Sequence, residues 1–300
     1  MKLSIFGTSE IINHHIKAAK KNSFEIFSIC TSNKNSKNIK KLSLKYKIKN
    51  IYYNWKDFVK NSHKNNCNIL IAGRIKDNKK ILKMCVRNNL KVIIEKPVFT
   101  STKEFNEFLN FRKNIFVAYN RIYYHNIASL KKNLSKESLN NVYIKCPEIN
   151  KKSIELNTCH IISIIYELFG KIKLTNKIIN KKSIFCIFET KQKNSIYLNI
   201  NFGVSDNFSF EFNFEKKRIK LEPIEKLIVY NKLIKKKYRK INFYTPNISK
   251  ISSEFKQTKL KPGFELQYFN FKKFIKNKKS NFININDAKE IISLCNKISS

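Results

Sequence analysis

Between residues 2 and 118 short apolar runs alternate with amphipathic segments, and the links between them are short. The runs are KLSIF at 2–6, FEIFSIC at 24–30, residues 51–52, NILIA at 68–72, residues 91–95 and residues 115–118. Between them, helices are expected at 11–21, at 36–46, after a cap at Asn54 ahead of Trp55, Phe58 and Val59, at 79–88 and at 102–112. Strand and helix in strict turn argue for a parallel, doubly wound sheet. From about residue 124 the texture changes. A helix at 124–134, a strand near 141–146 and a helix at 154–169 precede strands at 172–179, 183–189, 195–203, 207–214 and 217–230. Residues 208–215, FSFEFNFE, alternate with period two, the mark of a half-wet antiparallel sheet. Lys235-Lys236-Lys237 reads as a solvated turn, and helices follow at 263–276 and at 286–298, the latter capped by Asn286. The expected fold is therefore α/β plus α+β: residues 1–121 form a doubly wound parallel sheet and residues 122–300 a mostly antiparallel one. The C-terminal helices are free to pack back on the first domain.

The most specific stretch is 90–101, LKVIIEKPVFTS. The buried run Val92-Ile93-Ile94 delivers Glu95 and Lys96 to a strand end, where ligands bind in open α/β sheets. Pro97 stops the ladder and holds the direction of the lysine. The Thr100-Ser101 pair stands where a cap for the helix at Thr102 belongs. A surface lysine paired with an acid is the plain alternative for Lys96.

The first strand ends in Gly7-Thr8-Ser9, with Glu10 and Ile11 opening the next helix, as in the first turn of a dinucleotide-binding βαβ unit. One of the three usual glycines is present. Ser9 and Ile12 occupy the places near the other two; serine admits a pyrophosphate, whereas Ile12 would push helix from strand. After the second strand no acid is available for ribose hydroxyls, and Ser32, Asn33 and Lys34 suit a 2′-phosphate better. The cofactor expectation is thus NADP or NAD, leaning to NADP, with Ala72 and Gly73 at the end of the fourth strand. An ordinary strand-turn-helix without ligand is the competing reading.

Lys and Arg number 61 against 21 Asp and Glu, a formal charge of +40. Such a charge suggests nucleic acid or an anionic surface. Yet Lys, Asn, Ile, Phe and Tyr are enriched together while Gly, Pro and Ala are scarce, as A/T-rich codons produce. The basic residues are spread over the whole chain, so no nucleic-acid partner is inferred. No apolar run approaches the ~18 residues of a membrane span. The opening MKLSIFGTSE meets Gly7 and Glu10 too early for a secretory segment and reads as the first strand of a cytoplasmic protein. Seven cysteines without a CxxC pair fit neither a disulfide framework nor a zinc site. His14-His15 are not spaced as metal ligands and read as surface or packing residues, so no metal is expected.

Taken in order, the strand-glycine-helix opening, the Glu-Lys-Pro strand end, Tyr119-Asn120-Arg121 after the next strand, His160 in a helix ending Leu168-Phe169-Gly170, and residues 261–271, KPGFELQYFNF, resemble the glucose-fructose oxidoreductase/inositol dehydrogenase/MocA (Gfo/Idh/MocA) family. The likeness is to members in surface-polysaccharide sugar biosynthesis. It implies a Rossmann domain beside an antiparallel-sheet domain, oxidation or reduction of a sugar or nucleotide sugar with NAD(P), and oligomers built through the sheet. The family's reaction-centre lysine maps to Lys96 and its histidine to His160. The family's aspartate three after the histidine is Ser163 here, and the acid that some members carry four before it is Leu156.

Independently, Asn157, His160, Ser163 and Glu167 recur at spacings of three, three and four on an otherwise apolar helix. Such a polar stripe is costly to bury without partners and argues for a cleft-facing role; a core histidine bonded to a carbonyl is the alternative. Hydride transfer requires the reacting hydroxyl to lose its proton, so His160 would act as base and Lys96 would stabilise the oxygen. Asn120, Arg121, Tyr124 and Asn157 are further substrate candidates. Without the motif aspartates, a catalytically impaired sugar-binding or partner-binding member is the second expectation.

Overall fold

The computed structural model describes residues 1–300. Two compact units divide the chain: residues 1–120 with 263–293, and residues 121–262 with 294–300.

In the first unit β1 (Lys2–Phe6), α1 (Ile11–Lys21), β2 (Glu25–Cys30), α2 (Lys37–Tyr46), β3 (Asn50–Tyr52), α3 (Trp55–Lys64), β4 (Asn68–Ile71), α4 (Ile75–Arg87), β5 (Val92–Glu95), α5 (Thr102–Phe105) and β6 (Ile115–Ala118) follow in turn. The sheet order is β3-β2-β1-β4-β5-β6 with every pair parallel. Central strands buried on both faces must be apolar throughout. Ile69, Leu70 and Ile71 of β4 and Val92, Ile93 and Ile94 of β5 are accordingly fully buried. Between β1 and β4 the direction of winding reverses, which opens a crevice at their carboxyl ends.

Local chemistry explains several departures from the sequence reading. The fourth helix begins at Ile75, a turn earlier than 79. Residues 102–112 are α-helical only to Phe105 and continue as a 3₁₀ helix over Asn106–Phe111. Ser101 makes no side-chain cap bond. Ile12, at the place of the third glycine, is fully buried in the core.

The second unit starts with a 3₁₀ turn that spans the division (Asn120–Tyr123), then α6 (His125–Leu134) and β7 (Leu139–Glu148). A π-helical turn (Ile154–Thr158) leads into α7 (Cys159–Phe169). Then come β8 (Lys173–Asn180), β9 (Ser183–Glu189), β10 (Ser195–Phe202), β11 (Ser209–Phe214), β12 (Arg218–Leu221), β13 (Lys226–Tyr238), β14 (Ile241–Ser253) and α8 (Glu254–Gln257). Their sheet runs β14-β13-β12-β11-β7-β10-β9-β8. All pairs are antiparallel except β7 with β10. Burial alternates strictly in β9 and over most of β7 and β10, one face packed and one wet.

The strand expected at 217–230 is two strands, broken at Glu222-Pro223. Lys235-Lys236-Lys237 is not a turn: it lies in β13, where Lys236 pairs with Phe243 of β14, a strand that the apolar pattern does not announce. Lysines at these positions stay solvated because the ribbon's outer part pairs only with itself.

α9 (Phe264–Ile275) belongs to the first unit. Its Phe271 lies 5.4 Å from Phe116 of β6 and 5.9 Å from Phe24, ring to ring. The division falls inside α10 (Ile285–Ser299). Its cap is Asn284 rather than Asn286: Asn284 Oδ1 accepts from the amides of Asn286 and Asp287 at 2.8 and 3.1 Å. No helix is long and apolar enough to cross a membrane.

Candidate active site

In the first unit a cleft of about 370 Å³ opens at the carboxyl ends of β1, β2 and β4. Gly7, Thr8, Ser9, Ser32, Asn33, Ala72 and Gly73 line it, as do Phe6, Thr31, Asn38, Arg74 and Asp77, which the sequence pattern does not single out. Glu10, Ile11, Lys34, Glu95 and Lys96 are not among its walls. Gly7 is glycine for a packing reason: at φ +130° a Cβ would stand 2.3 Å from the carbonyl oxygen of Ala72. That contact draws the ends of β1 and β4 together, with the Ala72 amide donating to the Phe6 carbonyl at 2.8 Å. The first turn of α1 has no side-chain cap, and the amides of Ile12 and Asn13 donate to the carbonyls of Ser9 and Glu10 at 3.1 Å; the positive end of the helix beside Thr8 and Ser9 still favours an anion. A glycine turn, an uncapped helix start and a roomy cleft fit a dinucleotide.

Asp77 is the one acid in the lining. Its Oδ1 lies 2.6 Å from Lys80 Nζ and its Oδ2 3.4 Å from Arg74 Nε. Burial alone would raise the carboxyl, but the hydrogen bond and charge of Lys80, with Arg74, hold it below the ordinary value.

At the end of β5, Lys96 is half-buried and joined to Pro97. The Glu95 carboxylate, a cofactor-binding candidate by its strand-end position, is engaged by α1. Its Oε1 sits 2.8 Å from Nε2 of His15, whose Nδ1 is 3.0 Å from the Tyr268 hydroxyl. His15 is fully buried against the Phe264 ring, 5.0 Å between centroids. It is a packing residue and an anchor for the strand end.

In the second unit, His160 lies in the first turn of α7 and is 9% exposed. Asn157, Ser163 and Glu167 of the polar stripe are bonded within the unit. Asn157 Nδ2 donates to Glu148 Oε2 at 3.1 Å, Ser163 Oγ donates to the carbonyl of His160 at 2.7 Å, and Glu167 holds Lys131 at 2.6 Å. Ser163 therefore serves the helix backbone. Glu148, at the end of β7, escapes a reading of the sequence alone. It is 4% exposed and also accepts from Thr158 Oγ1 at 2.5 Å, so it clasps the π turn that precedes His160. Its only sequence signal is an acid at a strand end ten residues upstream.

Arg121 places its guanidinium over Phe208, 5.4 Å from the ring centre, and its buried Nη1 has no protein acceptor. Asn120 is buried in the 3₁₀ turn. Tyr124, expected to face substrate, is 4% exposed, and its hydroxyl donates to Glu225 at 3.2 Å; burial and that carboxylate push its phenol up. Lys96 and Asn120 belong to the first unit; Arg121, Tyr124, Asn157 and His160 belong to the second.

Residues 1–115 match the model of a family described as an oxidoreductase family with an NAD-binding Rossmann fold, GFO_IDH_MocA. No curated protein matches in sequence. Among solved structures, levoglucosan dehydrogenase in complex with NADH is similar over 99% of this chain and 95% of its own, at TM-score 0.79 and 11% identity. UDP-N-acetylglucosamine 3-dehydrogenase from Acidithiobacillus ferrooxidans is similar over 99% and 96%, at 0.75 and 7%. An oxidoreductase from Agrobacterium radiobacter, complexed with NAD+, L-tartaric acid and magnesium, is similar over 99% and 94%, at 0.74 and 12%. At these identities the structures speak for the fold. By the family match, residues 1–115 carry the NAD-binding Rossmann fold of the Gfo/Idh/MocA oxidoreductases.

Proposed function

We propose that the chain transfers a hydride between a nicotinamide dinucleotide and a carbinol or ketone carbon of a sugar or nucleotide sugar, in surface-polysaccharide biosynthesis. The observation that carries the reading is the cleft at the β1/β4 switch point, lined by Gly7, Thr8, Ser9, Ala72 and Gly73. Sugar dehydrogenases among the structures of like fold support the substrate class. The dinucleotide, when bound, supplies the hydride acceptor or donor. Gly7 to Ser9 and the start of α1 hold its pyrophosphate. Lys96 hydrogen-bonds the reacting oxygen and stabilises its negative charge. His160 takes or returns the hydroxyl proton. The unfilled Nη1 of Arg121 binds a substrate oxygen, since a buried donor of a charged group is costly to leave unmet.

One observation favours a second reading. Ser163, where the motif has an aspartate, bonds to backbone, so a member that binds sugar without turning it over is the alternative. Tyr143 and Tyr197 stack at 4.9 Å on the sheet's wet face beside Phe185, which suits a homo-oligomer through that face.

Titration with NADPH and NADH, read by nicotinamide fluorescence, tests the first step; no binding of either ends the oxidoreductase reading. Turnover would then be sought on UDP-N-acetylglucosamine and other UDP-sugars. Lys96→Ala and His160→Ala should each lower kcat at least about 100-fold. Dinucleotide binding with no turnover on any sugar, and sugar binding retained, would favour the alternative.

A further inference from the structure

A dinucleotide in the cleft brings an adenosine ribose to the end of β2. An unphosphorylated ribose diol wants an acceptor there, normally a carboxylate at the end of the second strand. Residues 31–38, TSNKNSKN, contain no acid. Asp77, the one acid in the lining, is 6% exposed with its two oxygens on Lys80 and Arg74. It is not free to receive a diol.

The neighbouring groups present donors. Thr31 Oγ1 accepts from the Asn33 amide at 3.3 Å and Asn33 Oδ1 from the Asn35 amide at 3.0 Å, which keeps the Thr31 proton and the Asn33 NH2 available as donors. Ser32 and Asn38 are exposed beside them. Arg74, the one cation in the lining, has its side chain 67% exposed and spends Nε on Asp77, which leaves the two terminal nitrogens of its fork for a ligand. A guanidinium fork with hydroxyl and amide donors is chemistry for a phosphate dianion. It offers an uncharged diol no carboxylate.

Given that the cleft holds a dinucleotide, as proposed above, we infer that it selects a 2′-phosphorylated adenosine, hence NADP(H) over NAD(H), and that Arg74 is the residue that makes the selection. The Asp77 pair holds the arginine at the cleft wall in the absence of ligand, and the terminal fork takes the phosphate. Lys34, the cation nearest in sequence to the second strand, is not part of this wall.

The test uses the full chain at one fixed salt concentration. Dissociation constants are measured for NADPH and NADH by fluorescence, and 2′,5′-ADP and 5′-AMP are compared as competitors. NADPH should bind at least about tenfold tighter than NADH, and 2′,5′-ADP should compete at least about tenfold better than 5′-AMP. Arg74→Ala should cost NADPH about tenfold and leave NADH within about twofold, while Lys34→Ala should leave the ratio in place. Equal affinities, a ratio that survives Arg74→Ala, an equal loss for both dinucleotides, or a ratio lost only in Lys34→Ala would each overturn the inference while leaving the dinucleotide reading intact. Binding of neither dinucleotide would overturn both. The competitor comparison on the unaltered chain stands even if the Arg74 variant does not fold.

Discussion

His15 holds Glu95 at 2.8 Å across 80 positions of sequence, and Tyr268 closes the same ring from its other side at 3.0 Å. A carboxylate can only accept, so Nε2 carries a proton toward Glu95. Three segments meet there: the first helix, the strand end before Lys96, and the helix that opens at Phe264.

Replacing His15 by alanine removes a buried ring and strands two polar partners. The expected loss is about 2–4 kcal/mol in urea unfolding. A loss below about 0.5 kcal/mol would mean that the ring is not the anchor described.

Glu148→Ala should be comparably damaging in the second unit. Thr158 and Asn157 lose their acceptor, and the π turn before His160 loses its clasp. Roughly 2–3 kcal/mol is expected, with Glu148→Gln recovering part because one oxygen remains to accept. Thermal melts of the two variants decide it; equal melts would deny the clasp.

Acid should separate the parent chain from Asp77→Asn in a defined way. The folded carboxyl lies below its ordinary value of 3.8. A depressed carboxyl contributes stability above its unfolded pKa and loses it as pH falls through the folded one. The parent should therefore exceed the variant by about 1 kcal/mol near neutral pH, and the gap should close only below about pH 4. A gap that widens toward acid would contradict the ion pairs with Lys80 and Arg74.

Gln267 is fully buried, and neither atom of its amide has a partner. Gln267→Leu keeps the volume and removes the cost. It should stabilise by about 1–2 kcal/mol, seen as a rise of a few degrees in the melting midpoint.

Much of the first domain is legible because its strands are short apolar runs with glycine or proline at their ends. Gly7, Ala72 and Gly73 are readable as cleft residues from that pattern alone. What escapes depends on pairing across long separations. Glu95 reads as a strand-end charge, and only the packing of α1 shows that its carboxylate is taken by His15. Arg74 and Asp77 look like ordinary helix-start residues until β1 pairs with both β2 and β4 and the three strand ends line one cleft. In the second domain Glu148 meets Asn157 and Thr158 only through an irregular turn that period counting cannot foresee. β14 escapes because a ribbon wet on both faces lacks the apolar alternation that reveals a strand.

The first unit is made of residues 1–120 and 263–293. Its wall at Phe24, His15 and Phe116 is therefore covered by rings that leave the ribosome only after residues 121–262 have been synthesised. At ~5–20 residues per second that interval is on the order of ten seconds. The nascent dinucleotide-binding sheet spends it with an aromatic flank bare. In a cell, this is the period in which the chain calls for a holding chaperone, and a truncation anywhere before residue 264 would make the exposure permanent.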